Sequence, residues 1–441
     1  MDTKTETKDQ IQKMSDSNAN KPGYKKTKLG WMPEDWDIYK LKRIAEINPS
    51  KPKPKNENIL ISFIGMADIS NDGKLLSSKK KLFSEVKNGF TSFKNGDILI
   101  AKITPCFENG KGILANNLYN EIGFGSTEFH VVRVNKGISN KYIYYHTQSY
   151  KLRKIGESNM TGTAGQKRVP RDFIKNYKLP IPPLPEQQKI AQILSTWDQA
   201  IEKTEQLIEK KQLLKKGLMQ QLLSGKVRFP EFIKTNDTFK TKFYNYPADW
   251  NYPKIKEIAN QINEKNGTSE NPPVLSCTKY EGLVDSLKYF GKQVFSKDLS
   301  PYKKVKYGQF AYATNHIEEG SIGYQNMYDN ALISPMYTVF ETDKSKVNDT
   351  YLYKLLKTDL YIHIYQTRTK GTVSRRGSLR WNDFSNIRIP LPSKPEQDKI
   401  AEFFTKVEDD INKHMSFLGK LKQQKKGLMQ QLLTSRIRVK I

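Results

Sequence analysis

The sequence lacks any apolar run of the roughly 18 residues that a membrane-spanning helix needs. Its first residues, MDTKTETKDQIQKMSDSNANK, lack the apolar centre of a secretory signal. A cytoplasmic protein with no membrane partner is therefore expected. Cysteine is nearly absent. Cys106 and Cys277 lie far apart without CxxC spacing, so neither a disulfide nor a thiolate metal site is expected. The histidines His130, His146, His316, His363 and His414 form no HExxH or HxH pair, and no metal site is expected from them. No GxxxxGK[ST] phosphate loop occurs, which excludes an ATP-driven motor in this chain. A DNA adenine methyltransferase needs an Asn-Pro-Pro-aromatic loop to hold and stack a flipped base. Here Asn271-Pro272-Pro273 is followed by Val274, with no glycine-rich cofactor loop before it, so the segment reads as an extended turn. No catalytic residue emerges, and no cofactor is expected in this chain.

What is abundant is positive charge. The formal net charge is +28, a strong attraction for a polyanion such as nucleic acid. The 441 residues suffice for two cores.

An internal repeat organises the chain. KKGLMQQLL occurs at Lys215 to Leu223 and again at Lys425 to Leu433, 210 residues later. The same offset carries Pro180-Ile181-Pro182 onto Pro390-Leu391-Pro392, and PEQQKIA (Pro185 to Ala191) onto PEQDKIA (Pro395 to Ala401). PEDW (Pro33 to Trp36) and Ile44-Ala45 match PADW (Pro247 to Trp250) and Ile258-Ala259 at an offset of 214, so length varies between these anchors. The resulting organisation is a polar tail expected to be mobile (1–28), a variable domain (29–183), a constant helix (184–228), a linker (229–242), a second variable domain (243–393) and a second constant helix (394–441). Short apolar runs such as ILISFIGM, GDILIAKI and FHVVRV between Gly, Asn and Pro turns predict strand-rich domains, with helices over 142–155 and 351–366. The fold class is α+β: two mixed α/β domains alternating with two long helices.

Each constant segment opens with proline-rich sequence and an acidic residue, Glu186 or Glu396, suited to the first turn of a helix. Apolar residues then follow steps of four and three: Ile190, Leu194, Trp197, Ile201, Ile208, Leu218 and Leu222, then Ile400, Phe404, Val407, Ile411, Leu418, Leu421, Leu428 and Leu432. This is a heptad seam. Thr204, Lys211 and Lys215 interrupt the first copy, which points to a specific partner, the other copy. A helix of about 38 residues would be roughly 55 Å long, enough to act as a spacer. The seam does not require Lys215, Lys216, Gly217, Met219, Gln220 and Gln221, yet they recur as Lys425, Lys426, Gly427, Met429, Gln430 and Gln431. Their recurrence implies a partner surface present twice.

The two helical segments carry net charges of only +3 (186–228) and +5 (394–441), leaving +20 to the tail, linker and variable domains. There TGTAGQKR (Thr161 to Arg168) combines glycines with the donors Gln166, Lys167 and Arg168. TKGTVSRR (Thr369 to Arg376) holds a parallel place, offering Lys370, Arg375 and Arg376 after Arg368. Both precede an Asp-Phe pair. Lys102, Thr104, Asn109 and Lys111, and Asn315 and His316, follow the matched strands GDILIAK and GQFAYAT and are further candidates for DNA contact.

The duplicated pair PLPEQQKIAQIL and KKGLMQQLL, between two unlike basic domains, resembles the specificity subunits of type I restriction-modification systems over residues 29 to 441. The resemblance implies that each variable domain is a target-recognition domain reading one half of a bipartite, asymmetric site on double-stranded DNA. It implies an antiparallel coiled coil that sets the spacer and docks two modification (methyltransferase) subunits, to which restriction subunits add. S-adenosylmethionine, ATP and Mg would belong to those partners.

Overall fold

The protein is described by a computed structural model covering residues 18, 19, 21–52, 54, 56–163, 165–267, 271–369 and 378–441. It divides into two units, one holding residues up to Glu205 together with Ser416–Ile441, the other Gln206–Met415.

The first unit is built on the sheet Ala45–Ile47, Phe129–Val134, Ile98–Ala101, Gly112–Leu114, antiparallel throughout. All four residues of Ile98–Ala101 are buried, because the sheet is covered on both faces. The two-residue period of a strand sends Ile98 and Ile100 into a helical core with Tyr142, Tyr145 and Leu152, and Leu99 into a second core with Phe93, Phe129 and Ile64. That second core lies against a sheet ordered Lys79–Leu82, Leu60–Ile64, Ile122–Gly125, Thr91–Lys94. The second unit repeats the first sheet as Ala259–Ile262, Tyr337–Thr342, Phe310–Ala313, Ile322–Tyr324, with the same split: Phe310 and Tyr312 on the helical side, Ala311 on the other. Its second layer consists of two ribbons, Leu275–Thr278 with Gly282–Asp285 and Lys303–Lys306 with Asn330–Ile333. The two units thus share their central sheet and differ in the outer layer.

Where one helix is predicted in each domain, there are two: α1 (Asn140–Gln148) and α2 (Tyr150–Ser158), then, beyond the first long helix, α4 (Asp349–Leu356) and α5 (Asp359–Thr369). Ser149 causes the first break. Its backbone is extended and its hydroxyl accepts from the Leu152 N–H, starting a new helix. Residues 24–28, expected in the tail, instead belong to a hairpin pairing Tyr24–Thr27 with Gly30–Pro33. The linker 229–242 likewise carries a strand, Thr238–Lys240, paired with Asn245–Pro247. Residues 1–17 of the tail lie outside the described residues.

The long helices are α3 (Leu184–Leu223) and α6 (Lys394–Leu433). In the first unit Asp198 pairs with Lys425 and Glu205 with Lys422; in the second, Lys211 pairs with Asp410 and Lys215 with Glu408. One number rises as the other falls, so the helices pair antiparallel in each unit. The seam is more regular than its apolar residues suggest. Thr204 is buried and its hydroxyl donates to the Ala200 carbonyl, while Lys211 and Lys215 are half-buried in ion pairs. The interruptions thus keep the steps of four and three intact.

The repeated sequence at each helix start has an internal function. Glu186, wholly buried, accepts from Trp36 Nε1 at 3.1 Å and from Arg438 at 2.7 Å; Arg438 also pairs with Asp35. Glu396 accepts from Trp250 Nε1 at 3.1 Å and from Arg228, which also holds Asp249. Gln187 and Gln397 accept from the N–H groups of Ser139 and Asn348, both at 2.9 Å, and donate to the carbonyls of Pro182 and Pro392. The PEQ and Asp-Trp repeats therefore form one latch, made twice, that fastens each domain to its helix pair.

Candidate nucleic-acid interface

In the first unit two loops distant in sequence meet at the end of strand Ile98–Ala101. Ile103 and Thr161 both bridge Arg168, the Thr104 N–H donates to the Lys167 carbonyl at 2.9 Å, and the Val169 N–H donates to the Lys102 carbonyl at 2.8 Å. Lys102 and Thr104 are thus brought beside Lys167 and Arg168, with Gln166 next in the loop, while Asn109 and Lys111 lie further along the chain that follows the strand, Asn109 in the wall of a neighbouring cleft. Their roles differ. Arg168 grips Glu128 with two nitrogens and holds that carboxyl below its usual range. Thr104 Oγ1 donates to Glu108 at 2.5 Å, and Lys111 Nζ donates to the Met66 carbonyl at 3.0 Å. Gln166, Lys167 and Asn109 are exposed, leaving them the groups best placed to meet a base edge or a phosphate.

Sequence reasoning missed the residue that sets this loop. Arg153, on α2, is 6% exposed and donates to the carbonyls of Thr147 (2.8 Å), Phe107 (3.0 Å), Gly110 (3.3 Å) and Lys111 (3.4 Å), with its guanidinium 4.8 Å from the Phe107 ring centroid. Burial pulls its pKa down, yet a guanidinium stays charged at neutral pH. Five fixed donors define the positions of carbonyls as a single apolar side chain could not. Nothing in the local pattern distinguishes this arginine from Lys151 and Lys154 beside it.

The second unit repeats the arrangement where it is described. The Leu379 N–H donates to the Thr314 carbonyl at 2.8 Å, bringing the segment after the basic loop to the end of strand Phe310–Ala313. Asn315 is half-buried and His316 exposed. His316 lies with Glu318 and Glu319, ligand atoms within 4.8 Å of one another, at the surface. Two carboxylates there would repel a phosphate, which makes His316 a poorer backbone contact than its strand position suggests. Arg368 donates to the Asp383 carbonyl at 2.9 Å. Lys370, Arg375 and Arg376 lie outside the described residues.

The repeated helical strip divides into two sets. Lys215 and Lys425 are held by Glu408 and Asp198, and Met219 and Met429 pack against the two helical cores. Lys216, Gly217, Gln220 and Gln221, with Lys426, Gly427, Gln430 and Gln431, remain exposed. A Cβ added at Gly217 or Gly427 would meet nothing within 4 Å. A mid-helix glycine costs roughly 1 kcal/mol relative to alanine. Among the described residues nothing approaches either glycine closely enough to require it, and it occurs twice.

A family model described as the type I restriction modification DNA specificity domain matches residues 33–211 and again 232–416. The chain is 46% identical to the type I restriction enzyme EcoAI specificity subunit of Escherichia coli over 175 residues, 38% of this chain and 29% of that protein. The match to the E. coli EcoEI specificity subunit, at 42% identity, covers 36% of this chain and 27% of that protein. A putative type I restriction enzyme MjaX specificity subunit of Methanocaldococcus jannaschii is similar across nearly the whole length, 26% identical over 95% of this chain and 97% of the relative. Among solved structures, a chain from work on complex assembly and conformational transition of the type I R-M system aligns with a TM-score of 0.55 at 17% identity, over 91% of this chain and 98% of that one. The S subunit of a type I restriction-modification system from M. genitalium aligns with a TM-score of 0.52 at 16% identity, over 90% and 96%. Both structures share the fold.

Proposed function

Because the chain belongs to the type I restriction-modification DNA specificity family, we propose that it reads an asymmetric, two-part site on double-stranded DNA and carries two methyltransferase subunits to it. Each variable domain would read one half-site. Restriction subunits would add to the methyltransferases, and S-adenosylmethionine, ATP and Mg would be bound by those partners. The chain itself would be non-catalytic and act in the cytoplasm; among the described residues no helix is long and apolar enough to cross a membrane.

The observation that supports this reading most is convergence. In each unit the end of the central buried strand and a segment some sixty residues downstream are hydrogen-bonded together, at Thr104–Lys167 and at Thr314–Leu379. Each pair adjoins, in sequence, a basic, glycine-containing segment. Two unlike readers on one repeated frame suit a site with two unlike halves.

The competing reading is a basic scaffold that holds the same partners without sequence preference. Binding of the assembled complex to labelled duplex, with excess competitor DNA at several salt concentrations, separates the two. A specific reader keeps its target against the competitor; a scaffold loses all duplexes alike as salt rises.

A further inference from the structure

The two exposed strips are identical in sequence but not in setting. In the first unit Lys426 Nζ lies 5.7 Å from the ring centroid of Tyr150, which is 59% exposed. Both line a cleft of about 1430 Å³ that also takes in Lys151, Lys154 and His146. Lys151 is half-buried, and burial alone lowers its pKa, with no carboxylate contributing. His146 is 5% exposed, burial holds its pKa down to about 3, and its Nε2 meets no hydrogen-bond partner. An orphaned buried ring nitrogen beside an unpaired ammonium marks a site with unmet polar capacity.

The second unit shows what the same place looks like without that capacity. Tyr142 and Tyr351 fix the correspondence, since each donates its hydroxyl to the matching proline carbonyl, Pro180 or Pro390, at 2.9 Å. Counting from them, Tyr150 corresponds to Asp359, Lys151 to Leu360, Lys154 to His363 and His146 to Leu355. Asp359 pairs with Lys216 at 3.2 Å and sets a negative charge against the strip's exposed cation, while Leu355 is buried in the core. In the first unit four carboxylates, Asp72, Glu108, Asp198 and Glu202, line the cleft against eleven lysines and arginines. Asp72 pairs with Lys74, Asp198 with Lys425 and Glu157 with Lys154, and among the described residues no ion pair holds Lys151 or Lys426.

We infer that the cleft and strip of the first unit take an acidic segment of the methyltransferase partner, so that two copies of one partner dock unequally, the first unit being preferred through charge. This rests on the docking reading above. DNA phosphate is the other anion to consider, since Asn109 also lines the cleft. The protein partner is favoured because Lys426, Met429 and Gln430, which form one wall, belong to the segment repeated in both halves rather than to the variable loops.

The test titrates the full chain with the purified methyltransferase subunit and follows the one-copy and two-copy species by native mass spectrometry, at about 50 mM and about 500 mM salt. At low salt the first step should be about ten-fold tighter than two equal sites allow, and the gap should close at high salt. Tyr150→Asp with Lys151→Leu should weaken the first step and remove the gap. Asp359→Tyr, an exposed change, should narrow it by strengthening the second step. Equal sites at low salt, or a gap that survives the paired substitution, would overturn the inference and leave the docking reading standing. If the paired substitution weakens duplex binding and leaves partner binding alone, the cleft takes phosphates and the inference falls. If no methyltransferase binds at either salt, the docking reading fails with it.

Discussion

Glu396 and Glu186 are the same residue of the repeat, yet their partners are not equally sheltered. The side chain of Arg228, which holds Glu396, is 6% exposed, whereas that of Arg438, which holds Glu186, is 39% exposed. Removing one partner of a buried pair costs roughly 3–5 kcal/mol where it leaves the other charge uncompensated, and the lower end applies here because Asp249 and Asp35 still hold the two arginines. Glu396→Gln is therefore expected to destabilise the second unit by about 3 kcal/mol, and Glu186→Gln the first unit by about half of that. Urea unfolding of the two variants checks both the size and the order. His146 gives a second expectation, at acid pH. Its folded pKa is lowered to about 3, so below the ordinary histidine value the unfolded chain binds the proton that the folded chain refuses. Stability then falls as pH drops through that window, by about 1.4 kcal/mol from this group between pH 7.5 and 5.5. Its share should vanish in His146→Leu, which installs the residue found at the equivalent place in the second unit, Leu355. Equal pH dependence of the two proteins, read from urea midpoints, would contradict it. At this scale the sequence was least informative. The roles of Arg153, Trp36 and Glu186 depend on contacts across dozens to hundreds of residues, and no local pattern records them. The break at Ser149 was also hidden, because the apolar period runs on through it.

Elements were more legible, for a physical reason. The seam of α3 and α6 keeps one period from Ile190 to Leu222 and from Ile400 to Leu432, and a period that long survives single polar substitutions. Thr204, Lys211 and Lys215 weakened the pattern on paper while keeping their places in it. The strip KKGLMQQLL, in contrast, mixes two demands that sequence alone could not separate. Half of it serves the chain's own packing, and half faces solvent. Gly217 and Gly427 distinguish these demands. Replacing both with alanine should raise thermal stability, by about 1 kcal/mol for each site, because a Cβ there has open space. If the strip docks a partner closely, the same substitution should reduce co-purification of the methyltransferase subunit. Higher stability with unchanged co-purification would mean that the glycines have no docking role.

On the scale of the whole molecule the duplication sets what can vary. The segment from Ser224 to Pro230 looks in sequence like a place to lengthen the chain. Yet Gly225 turns at φ +71 with Pro247 within 2.5 Å of where a Cβ would stand, and Arg228 is locked to Glu396 and Asp249. Insertions there should disturb the latch before they alter any spacing. The helices are the better place. One heptad added to each of α3 and α6 keeps the seam in step and adds about 10 Å, or about three base pairs of DNA. The recognised spacer should lengthen by that amount while both half-sites stay the same, as read from methylated positions. Changed half-sites would contradict a helical ruler.

If this chain supplies two-part sequence recognition to a methyltransferase, methylated bases mapped across a naive genome will carry its signature. The methyltransferase subunit would be expressed with and without this chain, and the bases read by single-molecule sequencing. The expected result is a split, asymmetric adenine motif with a fixed spacer that disappears when the chain is omitted. An assembled, active complex that yields no motif, or a single continuous palindrome, would contradict it.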